Sequence, residues 1–157
     1  MRNLRKIAGL VVLAGVFSAP LFAQTAVKLE ALLNKPAVSW ADAAVFVLEA
    51  SDAAVYSDSA DAFYFAAGQK WLPKDAASGD TARLSGVALL LMQSFGLKGG
   101  LFYRIGKDSH HAYRDLVYQK IIRGAADPDM PVSGQELLLM VNRLLSLKEQ
   151  EAEKAVQ

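Results

Sequence analysis

Val132-Ser133-Gly134-Gln135-Glu136-Leu137-Leu138-Leu139-Met140 reads as a capped helix start. In such a capping box the Ser133 hydroxyl and the Glu136 carboxylate each satisfy an orphan backbone N–H. Downstream, Leu137, Met140, Val141, Leu144 and Leu145 recur at helical spacing, which predicts one buried stripe. Two earlier stretches lie alongside it: Val38-Ser39-Trp40-Ala41-Asp42-Ala43-Ala44-Val45-Phe46-Val47-Leu48 and Leu84-Ser85-Gly86-Val87-Ala88-Leu89-Leu90-Leu91-Met92. Ser39, Ser85 and Ser133 are spaced 46 and 48 residues apart, and Ser39 with Asp42 is a weaker form of the same cap. In the middle copy Val87, Leu90, Leu91, Ser94 and Phe95 form the stripe, and Gly96, Gly99 and Gly100 then punctuate the chain.

A second piece precedes each of the last two copies. Ala62 to Leu72 matches Ala112 to Ile122, with Gln69-Lys70 falling on Gln119-Lys120. The order is one lone helix, then two helix pairs. No stretch alternates strictly between apolar and polar residues, so few strands or none are expected. Short helices cannot bury their stripes alone and must stack on one another. The expectation is an all-α, compact bundle of about 5–6 helices, built from two and a half helix-hairpin repeats of about 46–48 residues.

The chain has 157 residues, 53% of them hydrophobic and 21% charged, enough for a core and too apolar for disorder. Arg2, Arg5 and Lys6 precede an apolar run from Ile7 to Ala23, the layout of a secretory signal. Cleavage after Ala23 is the expectation, with retention as a membrane anchor the alternative; Pro20 and the short run argue against a span. The working part is then an extracytoplasmic helical domain, 24–147, in the periplasm or cell envelope, followed by a polar tail, 148–157. Residues 1–23 hold three basic and no acidic residues, which leaves 14 basic against 16 acidic, a net −2. No basic surplus is available for a phosphate backbone, so nucleic acid is not expected as a partner. The absence of Cys removes disulfides and thiolate metal sites.

The helix pair resembles the S-layer homology module. In that family a helix ends in an Ile-Ile-x-Gly turn, a loop carries Asp and Pro, and a second helix opens on a Val/Ile-Thr-Arg-x-Glu box. Here Ile121-Ile122-Arg123-Gly124, then Asp127-Pro128, then Val132 to Glu136 follow that order. The resemblance covers roughly residues 38–146 and is close in the last unit only. It implies a helical envelope module that contacts wall polymer. The family's polymer-binding Arg does not carry over, because Gly134 and Gly86 stand at the matching places and Arg83 lies three positions away.

His110 and His111 are adjacent, so they point apart on a helix and make a poor metal pair. Asp127 and Asp129 open like a calcium loop, but the required Gly and Glu positions hold Val132 and Leu138; a turn is the simpler reading. No Gly-x-Ser-x-Gly elbow and no phosphate-cradling loop is present. Catalytic residues, metals and cofactors are therefore not expected. The competing readings are a small glycan-acting hydrolase using carboxylates between Asp52 and Asp61, and a membrane-tethered assembly or chaperone factor that keeps its signal segment. Most of the aromatics read as core. Trp71 and Tyr103 lie near loops with Lys74 and Arg104, and with Arg83 they form the candidate partner-binding set. The expected role is a non-enzymatic module that binds another envelope component, protein or cell-wall polymer, and reaches a membrane only if residues 1–23 are retained.

Overall fold

The computed structural model describes residues 19–124 and 127–156. Among them the chain is all-α, with seven helices and no strand longer than an isolated bridge. The chain divides into two units, with the boundary in sequence between Ala31 and Leu32. In the first, residues 19–31 belong to α1 (Ala19–Leu33). Most of the expected export segment, residues 1–18, lies outside the described residues. Among the described residues no helix is long and apolar enough to cross a membrane.

The second unit carries α2 (Trp40–Ala50), α3 (Ser59–Gly68), α4 (Leu84–Ser94), α5 (Leu101–Gly106), α6 (Ser109–Tyr118) and α7 (Gly134–Val156). The five helices expected from the paired segments are α2, α3, α4, α6 and α7. Helix α5 is an addition, a short turn of helix between α4 and α6. The expected polar tail is helical as far as Val156 because α7 continues through it. There Lys148 donates from Nζ to the Phe95 carbonyl at 3.2 Å and sits 5.6 Å above that ring, tying α7 to the end of α4.

The caps form as the spacing demands. Ser133 and Glu136 exchange the reciprocal bonds of a capping box, at 2.9 and 3.2 Å. Ser39 and Asp42 form a complete box rather than a weak one, and Lys35 joins it at 2.7 Å from the Asp42 carboxylate. Burial pushes the Asp42 carboxyl up, but the bonds from Lys35 and Ser39 outweigh it and hold Asp42 below its usual value.

The middle copy departs from its expected register. The residue that caps α4 is Arg83, with no side-chain cap bond, so Ser85 lies two positions inside the helix. Nor is α4 one-sided: every residue from Gly86 to Met92 is buried. It packs on α6 and on α2, so its whole circumference is apolar. Leu90, Leu91 and Met92 are fully buried, each contributing about 1.5–3 kcal/mol of burial free energy. Gly86 permits the close approach on one side, since a β-carbon there would meet the Trp40 ring and, at 2.7 Å, Pro73.

Candidate functional site

The three helix starts converge through their preceding residues. The Val38 N–H donates to the Val132 carbonyl (2.8 Å), Val132 donates to Ala82 (3.2 Å), and Ala82 donates back to Val38 (2.9 Å). All three side chains are buried, so this closed ring of backbone bonds is sheltered from water. Short antiparallel bridges, Ser39 with Thr81 and Arg83 with Pro131, flank it.

Each helix N-terminus leaves backbone donors without an intrahelical partner. Here loops from elsewhere in the chain supply the acceptors. Trp40 and Ala41 donate to the carbonyls of Asp80 and Ser78, both at 3.0 Å. Leu84 and Ser85 donate to Met130 and Pro128, at 3.0 and 2.9 Å, and Gly134 donates to Lys35 at 3.0 Å. The loops 73–81 and 127–131 are thereby held rigidly against α2 and α4. The second contains the expected Asp127 turn, with the Asp129 N–H on Asp127 Oδ1 at 2.9 Å.

Between these loops lies an open cleft of about 520 Å³. Its polar lining includes Asp75, Asp80, Thr81, Arg83, Ser85 and Asp129, with Trp40 and Pro73 at its apolar side. Arg83 Nη1 donates to the Asp129 carbonyl at 2.7 Å, which fixes the guanidinium along one wall. One guanidinium against three carboxylates makes the lining net acidic. It suits a ligand rich in hydroxyl or amine donors better than a polyanion.

Comparison with models of known families, with curated proteins and with solved structures finds no match for this chain.

A second cleft, of about 590 Å³, lies under α5. It is lined by Met92, Gln93, Leu97, Lys98, Tyr103, Arg104 and Lys107. Tyr103 is buried, and its hydroxyl accepts from Gln93 Nε2 at 2.7 Å. Burial pushes the Tyr103 phenol up to about 12; the nearby Asp115 and Asp108 carboxylates push the same way, against the lowering by Gln93.

The five residues expected to bind a partner do not converge. Arg83 lies in the first cleft, and Tyr103 and Arg104 lie in the second. Lys74 is exposed and lines neither. Trp71 is half-buried, with its ring edge-on to Phe65 at 5.8 Å. Tyr103 offers no free ring face, because it is the side chain that seats α5 in the core. The carboxylates missed by sequence reasoning, Asp75, Asp80 and Asp129, reach one cleft only because the ring brings residues about 50 positions apart together. Asp52, Asp58 and Asp61 are exposed and line neither cleft, and Asp58 spends an oxygen capping α3 at 2.8 Å. Asp108 likewise caps α6: the His111 backbone N–H and then its ring hold this carboxyl low, against slight burial. Among the described residues no group of three or more His, Asp or Glu side chains is placed to hold a metal.

Proposed function

We propose that this chain is a non-enzymatic, exported cell-envelope module whose first cleft binds a hydroxyl-rich cell-wall polymer. The observation that carries the reading is the cleft between loops 73–81 and 127–131. Arg83, Asp75, Asp80 and Asp129 line one open groove beside the ring of backbone bonds, and the Arg83 side chain is fixed there by the Asp129 carbonyl. Preorganised polar groups on a fixed scaffold are what recognition of a polar polymer requires. The order of turn, loop and capped helix in residues 121–136 supports the same reading through its likeness to S-layer homology modules. The acidic lining shifts the expected ligand from an anionic polymer to one of neutral or amine-bearing sugars. Asp52, Asp58 and Asp61, the carboxylates of the competing hydrolase reading, are exposed and line neither cleft, which counts against that version of glycan hydrolysis.

The test is sedimentation of the purified full chain with cell-wall sacculi, intact or stripped of their attached polymers. Binding should be lost on stripping. Asp75→Asn and Arg83→Ala should each weaken it by about tenfold, with the helical circular dichroism unchanged. Binding to neither preparation, or binding indifferent to both substitutions, overturns the polymer reading in favour of a protein partner in the envelope.

A further inference from the structure

The second cleft carries charge opposite to that of the first. Lys98, Arg104 and Lys107 line it, and no Asp or Glu does. Lys98 reaches it from the loop after α4, Arg104 from the last turn of α5, and Lys107 from the left-handed cap of that helix. All three are exposed, whereas Met92 and Tyr103 are buried and Gln93 and Leu97 half-buried. The cleft thus has a partly apolar floor beneath a cationic rim.

Two carboxylates lie against the same segment, and both are engaged elsewhere. Asp108 holds the His111 N–H at 2.9 Å with one oxygen and the His111 ring at 2.7 Å with the other. Asp115 accepts from the Gly100 N–H at 2.7 Å. Neither lines the cleft. Among the described residues Lys98, Arg104 and Lys107 have no ion-pair partner, unlike Lys35. Nor do their side chains donate to a carbonyl, as that of Lys148 does. Like charges gathered at one concavity repel, and an anion held between them removes that repulsion.

The walls are fixed before anything binds. The bond from Gln93 to Tyr103, at 2.7 Å, ties α5 to α4, and the Lys107 N–H closes on the Tyr103 carbonyl at 2.7 Å. The Tyr103 hydroxyl accepts from Gln93 and keeps its own hydrogen for a further acceptor. Burial pushes this phenol up to about 12, so it stays a donor throughout the physiological range.

Charge and donor number set the class of ligand. A single carboxylate would leave most of the rim unanswered. A phosphate monoester brings about −1.5 to −2 of charge and three oxygens that accept from several directions. A volume of about 590 Å³ has room for that group and a small organic body, which Met92 and Leu97 would cover.

We infer that the cleft under α5 is a binding site for a small phosphate monoester, with Lys98, Arg104 and Lys107 on its phosphate oxygens and Met92 and Leu97 against its organic body. The site is separate from the Arg83 cleft and does not rest on the polymer reading.

The probe is phenyl phosphate, titrated into the full chain by calorimetry at low ionic strength. Phenol, which lacks the phosphate, and malonate, which carries two charges on carboxylates, run beside it. Phenyl phosphate should bind about tenfold or more tighter than either. Arg104→Gln and Lys107→Gln should each weaken it about fivefold to tenfold, with Lys98→Gln replacing either variant that loses the native circular dichroism. Lys74→Gln removes an exposed cation that lines neither cleft and should leave binding unchanged. No binding of phenyl phosphate overturns the inference. So does malonate or phenol binding as tightly, or a loss with Lys74→Gln as large as with Arg104→Gln.

Discussion

The carbonyl oxygen of Leu32 occupies the place where a β-carbon on Gly134 would fall. The first residue of α7 therefore lies directly against the backbone at the end of α1, and its N–H reaches on to the Lys35 carbonyl. Here a side chain of any size is excluded, because the obstacle is backbone and cannot turn aside as a flexible side chain would.

Gly134→Ala is consequently expected to destabilise the fold by about 3 kcal/mol, the upper end of overpacking costs, since main chain must move. The measurement is chemical denaturation beside Gly68→Ala, where a β-carbon meets nothing within 4 Å. Equal stability of the two variants would refute the contact.

Asp42 joins the start of α2 to Lys35, and its removal tests both links. Asp42→Ala should cost about 1 kcal/mol, mostly from the lost bond to the Ser39 N–H, because the Ser39 cap remains and the Lys35 partner is partly exposed and screened. The carboxyl titrates below its usual value in the fold, so its stabilisation is present above the ordinary 3.8 and is lost as pH falls through the lowered value. Thermal melts between pH 5 and pH 2 (roughly the range of carboxylate titration) should therefore fall more gently for Asp42→Asn than for the native chain. Parallel curves would exclude Asp42 as a source of acid sensitivity.

Helices α3 and α6 end on the same turn. Lys70 and Lys120 both sit at φ +61°, while the next residues, Trp71 and Ile121, donate back to Ala66 and Leu116, each at 2.9 Å. Left-handed backbone at a helix end favours glycine. Lys70→Gly and Lys120→Gly should each stabilise the domain by about 0.5–1 kcal/mol, the relief of β-carbon crowding less the added freedom of the unfolded chain. A lower denaturation midpoint in either variant would show that the lysine side chain makes a compensating contact.

Local chemistry in the sequence marked five of the helices and several of their ends. The Ser133–Glu136 and Ser39–Asp42 caps, the Asp127 turn and the Gly96 stop involve groups within a few residues of each other, so adjacent letters suffice to specify them. The apolar spacing of Leu137, Met140, Val141 and Leu144 likewise marked a buried stripe, and all four are buried. Helix α5 escaped notice because six residues are too few to show a period.

What only the tertiary structure decided is which segments meet. Ser85 resembles Ser133 by letter, yet Arg83 takes the capping place, because Ala82 must face Val38 and Val132 to close the ring of bonds. Asp75, Asp80 and Asp129 share a cleft, and Trp71 and Lys74 lie outside both clefts, for reasons set by loop packing across the chain. Tyr103 turns inward and Phe102 outward on the same short helix. The first two outcomes rest on backbone bonds between residues far apart in the sequence, and no local pattern encodes a pairing over that distance.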